Sequence, residues 1–138
     1  PGPLAAAPEA KYALSGTMFE EHPPFTANPV AAEFVKAFHE RAARASLPYQ
    51  NVDAQAAASF VAWQMIEAAV TGTKSLDDRA LAQWLHANRV DTIIGKMRFD
   101  GPGNYGDDMN KLKQVQDGKW VVVWPKEWAA PGVRLIVP

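Results

Sequence analysis

Cysteine is absent from the 138 residues of this sequence. A disulfide framework and a cysteine-ligated metal are therefore excluded. The chain also lacks an apolar run of the roughly 20 residues that span a bilayer, since its longest runs, such as residues 120–125, have the length of a strand. A basic excess is missing as well, because the formal net charge is −1. Nucleic-acid-binding domains usually carry such an excess, so we expect no nucleic-acid partner.

Features of export signals and of catalysis are also absent. Residues 1–4 have neither the basic start nor the apolar stretch of a signal peptide, and we expect that a signal peptide, or a longer segment, has been removed. No serine stands in a nucleophile-elbow context, and no two histidines have the spacing of metal ligands. We therefore expect no enzymatic activity, no metal and no cofactor.

The residues that are present favour a packed core, because 48% of them are hydrophobic. Residues 11–19 have the composition of a buried strand, and the prolines in residues 20–24 predict a loop. Asn28 and Pro29 predict a helix start, since asparagine caps free amides and proline at the first position has no amide to satisfy. The apolar spacing predicts that this helix continues to about Ala45.

Two further helices follow by the same reasoning. Asp53 is the predicted N-cap of a helix over residues 54–70, and Gly72 is predicted to close it. This helix is expected to be well buried because it has a wide apolar face. The residues of that face are Ala57, Phe60, Trp63, Met65, Ile66 and Val70. Residues 75–78 resemble a capping box that opens a third helix, which is predicted to end near Asn88.

The pattern then changes from helical spacing to alternation. Residues 91–94 form a predicted short strand, and residues 99–103 form a predicted turn. Residues 111–116 and 119–124 flank Asp117-Gly118, which is a strong signal for a two-residue hairpin. One strand, three helices, a strand and a hairpin indicate an α/β class. The broad apolar helix faces need more sheet than these strands supply, so we infer that part of the sheet lies elsewhere.

Five segments, in the correct order, resemble the solute-binding proteins of the branched-chain amino-acid ABC transporter family. The resemblance covers most of the chain from about Tyr12 onward. The segments are Asn28-Pro29-Val30-Ala31 with residues 34–38, residues 59–69, residues 76–85, Asp91-Thr92-Ile93-Ile94-Gly95 with Phe99-Asp100, and residues 114–125 with Asp117-Gly118-Lys119. The paired prolines in residues 20–27 match no pattern of the family.

The resemblance implies a periplasmic binding protein-like I fold, with two Rossmann-like lobes joined by a hinge and incomplete in this chain. Residues 1–95 would hold a crossing strand and helices that pack on the first lobe. Residues 96–138 would hold a second crossing strand and the C-terminal hairpin of the second lobe. The implied function is the capture of a small molecule, such as an amino acid or a small organic or aromatic acid, in a periplasmic receptor. Its implied partners are the membrane components of the transporter and the remaining N-terminal part of the same protein.

Ligands of such receptors lie between the lobes, near the loop after the first strand and the start of the second helix. This placement makes Phe19, His22, Phe25, Asp53 and Gln55 the candidate ligand-binding residues. Each has a structural alternative: Asp53 as a helix cap, Gln55 as a solvated residue, His22 as a loop histidine, and the two phenylalanines as core.

Two other functions stay open at this point. The same fold serves as the ligand-sensing domain of receptors and regulators, and an attached DNA-binding domain or transmembrane helix would favour that function. A small α+β enzyme is the third hypothesis, and ligand-induced stabilisation without turnover would argue against it.

Overall fold

A computed structural model describes residues 3–99 and 109–137, with the side chains of residues 3 and 4 left aside. Within these ranges the chain is a small mixed α/β structure with three α-helices and two antiparallel sheets. In chain order the elements are β1 (Leu14–Thr17), α1 (Pro29–Arg44), α2 (Ala54–Thr73), α3 (Asp78–Ala87), β2 (Val90–Thr92), β3 (Gly95–Met97), β4 (Lys111–Gln116) and β5 (Lys119–Trp124).

The chain divides into two compact units. The first unit comprises Pro1–Val52 and Asn110–Pro138, and the second comprises Asp53–Met109. The boundary predicted between residues 95 and 96 falls inside the paired strands β2 and β3, where Asp91 faces Lys96. The assignment of the two parts to different lobes stays a prediction.

The first unit is built on a three-stranded sheet in the order β1-β4-β5. Asp117 and Gly118 connect β4 to β5 with φ values of 51° and 72°, which confirms the predicted hairpin. The strand predicted at residues 11–19 is only Leu14–Thr17. Its predicted burial was wrong, because β1 is an edge strand and its Leu14 side chain is 53% exposed.

Helix α1 also belongs to the first unit and begins where the sequence predicted. The side-chain oxygen of Asn28 accepts a hydrogen bond from the amide of Val30 at 2.9 Å. The helix ends at Arg44, one residue before the predicted end. These local signals were sufficient because the cap and the first proline act within one turn.

Helix α2 begins the second unit and differs from the prediction in its end and its burial. Asp53 caps it as expected, but the helix passes through Gly72 and ends at Thr73, where Lys74 takes a left-handed φ of 53°. The prediction of a well-buried helix was wrong for Trp63, whose side chain is 70% exposed. Its buried stripe consists of Ala57, Val61, Met65 and Ala69.

The remaining elements of the second unit are α3 and the hairpin of β2 and β3. The side chain of Asp77, and not that of Ser75, caps α3 by accepting from the amide of Ala80 at 2.9 Å. The strand predicted at residues 91–94 is Val90–Thr92, and the following two residues form the turn into β3. The turn predicted at residues 99–103 lies outside the described residues after Phe99. In the described part of the chain, no helix has the length and apolar character needed to cross a membrane.

Candidate functional site

Three of the five candidate ligand residues lie in the loop that follows β1. The hydroxyl of Thr17, the last residue of β1, lies 3.0 Å from the carbonyl oxygen of Phe19 and 2.9 Å from a carboxylate oxygen of Glu20. It can donate to either of them and so holds the start of the loop. The loop then reaches a short 3₁₀ turn, Phe25–Ala27, which leads into α1.

The rings of this loop form an aromatic cluster, which we define as Phe19, Phe25, Phe34 and Trp128. The Phe19 and Phe25 ring centroids are 5.4 Å apart, and those of Phe25 and Trp128 are 4.6 Å apart. Phe19 is 3% exposed and Phe25 is fully buried. The Phe19–Phe25 pair is edge-on at 69° and the Phe25–Trp128 pair is tilted at 39°. Both centroid distances lie in the range of stabilising aromatic pairs. Contact between the Phe25 ring and a ligand would therefore require the loop to open.

A buried lysine lies against the aromatic cluster. The Nζ atom of Lys111 is 4.4 Å from the ring centroid of Trp128 and 5.9 Å from that of Phe25. Lys111 is the first residue of β4 and is only 2% exposed. An ammonium group at this distance is attracted to the electron-rich ring face, and the attraction grows when water is excluded. The cluster therefore combines apolar ring surface with a buried lysine side chain.

His22 contributes a polar atom beside the same cluster. Its ring centroid is 6.1 Å from that of Phe25, and its Nδ1 lies 2.8 Å from the carbonyl oxygen of Pro23. That contact assigns the proton to Nδ1, because a carbonyl oxygen can only accept. The Nε2 atom is buried and has no hydrogen-bond partner among the described residues. A buried atom of this kind is available to a group that the protein itself does not supply.

Two acidic residues of the loop fasten it to its surroundings. Glu20 accepts from the Nζ of Lys113 on β4 at 2.6 Å. Glu21 accepts from the Nε2 of His39 on α1 at 2.8 Å and from the amide of Val52 at 2.5 Å. The loop is therefore tied to the sheet, to α1 and to the end of the segment that precedes α2.

The other two candidate residues lie in the second unit. The carboxylate of Asp53 accepts from the amide of Ala56 at 2.7 Å, which is the capping geometry. Gln55 is exposed in the first turn of α2. The structure thus groups Phe19, His22 and Phe25 and places Asp53 and Gln55 together at the start of a helix. The ligand role of all five residues stays a prediction.

Sequence reasoning missed two members of the loop's surroundings. The two tryptophans near residue 125 have different surroundings, because Trp124 is 58% exposed while Trp128 packs on Phe25. Nothing in the sequence indicated that Lys111 would be buried, since a lysine at a strand end is usually solvated. Lys111 and Phe25 are far apart in the sequence, so no local pattern predicts their contact.

The second unit has an open depression of about 440 Å³ between α2, α3 and β2. Two exposed carboxylates and the indole of a partly buried tryptophan are on its wall. The lining residues are Gln64, Glu67, Ala68, Thr71, Gly72, Trp84, Val90 and Asp91. One lining amide is already engaged, because Gln64 accepts from the amide of Ile93 at 3.1 Å.

Neither the loop after β1 nor the depression of the second unit brings together enough described side chains to coordinate a metal ion. Within the part of the chain that the structure describes, no three histidine, aspartate or glutamate side chains come close enough to hold a metal ion. The arrangement after β1 offers apolar ring surface and a buried histidine nitrogen. Apolar surface with a few polar atoms is the composition typical of small-molecule sites.

No protein-family model matches the sequence, and no curated protein matches it.

Proposed function

We propose that this chain is part of the substrate-binding component of an ABC importer. In this proposal the protein works in the periplasm and captures an amino acid or a small organic or aromatic acid between two lobes. The membrane components of the transporter then receive the closed, loaded form. The five sequence segments that resemble the branched-chain amino-acid family support this proposal by their order.

The observation that carries the proposal is the apolar surface on both sides of α2. Its buried stripe, which includes Val61 and Met65, lies on the side that packs on α3 and β2. Trp63 and Ile66 lie on other sides of the helix and are 70% and 46% exposed. A helix that is apolar around most of its circumference is typical of a helix between two layers.

The sheets of the described residues do not supply this second layer. The strands found in the described residues form one sheet of three strands and one of two, all antiparallel. Neither is the parallel sheet that a Rossmann-like lobe requires. The proposal therefore includes further residues of the same protein, which would supply the sheet that covers Trp63 and Ile66.

The pairing of β1 with β4 supports the proposed place of these strands. Leu14 faces Gln114 and Thr17 faces Lys111, so a strand near the start of the chain lies beside the C-terminal hairpin. In the proposed receptor, β1 is a crossing strand and the hairpin completes the second lobe. Crossing strands form the hinge of such receptors, and the loop after β1 would then border the ligand cleft.

His22 is the residue of this loop that we expect to contact the ligand through a polar atom. Its unpartnered Nε2 can accept a hydrogen bond when the ring is neutral and can donate one when the ring is protonated. A protonated ring would pair with the carboxylate of an amino acid or an organic acid. The neighbouring rings of Phe19 and Phe25 would supply apolar surface if the loop opens.

Calorimetry on the full-length protein tests the proposal with a panel of branched-chain amino acids, amides, aromatic acids and dicarboxylic acids. We expect at least one compound to bind at micromolar affinity or better, and to raise the melting temperature by mass action. His22→Ala should weaken this binding at least about tenfold, the equivalent of one lost polar contact. His86→Ala on α3 is the matched control and should leave the affinity unchanged.

Three outcomes would contradict the proposal. The first is that no compound of the panel binds the full-length protein. The second is tight binding of a ligand by residues 1–138 alone, because half of the proposed cleft would then be unnecessary. The third is turnover of a bound compound, which would favour an enzyme. A DNA-binding domain or transmembrane helix attached to the natural protein would instead favour the sensor alternative.

A further inference from the structure

The residues after the last 3₁₀ turn return along the first unit as an extended strap, which we define as residues 133–137. After β5 ends, the amide of Ala130 still donates to the carbonyl of Val122, a residue of β5, at 2.9 Å. The chain then turns at Gly132, whose φ is 76°, and the amide of Val133 donates to the carbonyl of Ala130 at 3.0 Å. No strand is assigned to the strap itself.

Two glutamine side chains of β4 hold the strap. The side-chain Nε2 of Gln116 donates to the backbone carbonyl of Arg134 at 2.8 Å. The side-chain amide of Gln114 donates to the carbonyl of Ile136 at 2.8 Å and accepts from the amide of the same residue at 3.0 Å. We refer to Gln114 and Gln116 as the glutamine ladder. Gln114 therefore meets Ile136 as one peptide group meets another across a β-ladder.

The ladder is a complete hydrogen-bonding unit. Gln114 Nε2 also donates to the carbonyl of Tyr12 at 3.2 Å, and Gln114 Oε1 also accepts from the Nε2 of Gln116 at 2.8 Å. Both N–H groups and both lone pairs of the Gln114 amide are thus used. The Gln114 side chain is 1% exposed, so removal of the strap would leave a donor and an acceptor without partners in a buried place.

The geometry of the ladder matches an extended main chain. Gln114 and Gln116 are two residues apart on one strand and lie on the same face of the sheet. Arg134 and Ile136, whose carbonyls they contact, are also two residues apart. The main chain of β4 is unavailable for this purpose because β4 is the central strand and pairs with β1 and β5.

The contacts with the strap involve its main chain and leave much of its side-chain surface free. Leu135 is 42% exposed and Val137 is 81% exposed. All three hydrogen bonds from the ladder end on backbone atoms of the strap. Recognition of this kind depends little on the sequence of the bound segment.

We propose that the glutamine ladder is a binding site for an extended peptide, occupied in this chain by its own strap. A segment of a partner protein that presents an extended main chain can displace the strap and take over its three hydrogen bonds. This inference concerns a face of the sheet apart from the loop after β1, and it does not depend on the proposed transport function.

An exchange experiment tests the proposal on the folded chain. A protease site is inserted between Ala130 and Pro131, and the purified chain is cleaved after folding. A fluorescent peptide of residues 131–138 is then added, and its binding is followed by anisotropy. We expect the labelled peptide to replace the released strap. A peptide in which residues 132–137 are scrambled and the two prolines stay in place should bind within about threefold of it, because the ladder contacts main-chain atoms only and proline has no N–H to donate.

Two changes should weaken the binding. N-methylation of the Ile136 nitrogen removes the hydrogen that Gln114 Oε1 accepts, and we expect at least about a tenfold loss of affinity. Gln114→Leu should cause a similar or larger loss, whereas the matched control Gln83→Leu, an exposed position on α3, should cause none. If the leucine variant at position 114 does not fold, the N-methylated peptide still provides the test on the unaltered protein.

The proposal is overturned by any of three results. The cleaved chain does not take up labelled peptide, or it loses its circular dichroism signal once the strap leaves, so that the strap is an integral part of the fold. The N-methylated peptide binds as tightly as the unmodified one. The third result is that the Gln114→Leu variant binds the peptide as tightly as the Gln83→Leu variant does.

Discussion

At the scale of single residues, Gly72 in α2 lies directly against the indole of Trp84. A Cβ atom built on Gly72 would lie 2.5 Å from Cε2 and 2.7 Å from Cζ2 of the indole. Real Cβ atoms do not approach other atoms this closely. The glycine is therefore present in the last turn of α2 because the helix and the indole need the space, although glycine weakens a helix by about 1 kcal/mol relative to alanine.

Gly72→Ala should lower the free energy of unfolding by about 1–2 kcal/mol, because overpacking of an indole costs more than the improved helix propensity returns. Urea denaturation followed by circular dichroism measures the change. Gly16→Ala is the matched control, since no atom lies within 4 Å of the new Cβ. An alanine at position 72 that leaves the midpoint unchanged or raises it would contradict the packing argument.

At the scale of elements, the start of α2 combines a structural role with a candidate binding role in one side chain. Asp53 accepts from the amide of Ala56, and Gln55 follows in the first exposed turn. Asparagine can replace aspartate as a cap but has no charge. The two roles can therefore be separated by substitution.

Asp53→Ala should reduce stability by about 1 kcal/mol because α2 loses its cap, while Asp53→Asn should reduce it by only a few tenths. Thermal unfolding of the two variants measures this difference. In the full-length protein, a ligand role predicts that Asp53→Asn weakens binding while keeping stability, whereas a cap alone predicts normal binding. Equal stability losses for alanine and asparagine would show that the cap is not what matters.

The parts of the fold that follow from short-range signals could be predicted from the sequence. The cap and proline at Asn28-Pro29, the cap at Asp53 and the Asp117-Gly118 turn each act within a few residues, and each is present as predicted. The end of α2 could not be predicted in this way, because glycine is a helix terminator by default. The left-handed residue that ends the helix is Lys74, and the contact with Trp84 on another helix explains why position 72 is a glycine.

The candidate site was predictable only in part for the same reason. The sequence placed Phe19, His22 and Phe25 in one loop, and the loop holds their rings together. The contacts of Lys111 and Trp128 with Phe25 join segments that are far apart in the chain. No local pattern reports such a pairing, so the buried lysine and the fourth ring of the cluster could not be predicted.

At the scale of the whole molecule, some apolar side chains of α2 are buried in the second unit and others are exposed. Val61 is 5% exposed within the second unit, and Trp63, two residues later, is 70% exposed. A single exposed apolar residue has little significance, but a tryptophan beside Ile66 on one helix is a surface that another structure can cover. We therefore expect substitutions at these two positions to have different effects on the free energy of unfolding of the isolated chain.

Trp63→Glu should change the free energy of unfolding of the isolated chain by no more than about 0.5 kcal/mol, and it should reduce self-association in sedimentation velocity. Val61→Ala, the buried counterpart, should reduce stability by about 2 kcal/mol. In the full-length protein, where we propose that a sheet covers this surface, Trp63→Glu should become strongly destabilising. A loss of stability in the isolated chain equal to that of Val61→Ala would contradict the exposure of Trp63.

The interleaved order of the two units has a consequence for how the protein is made. Gln114 contacts the carbonyl of Tyr12, 102 positions earlier, and the second unit lies between these two parts of the first. A ribosome delivers the amino end first, so β1 leaves the exit tunnel long before its hydrogen-bonding partner is synthesised. The helices α2 and α3 can meet during that interval. We infer that the second unit can fold before the first, because the sheet of the first unit needs β4 and β5, which are synthesised after the second unit.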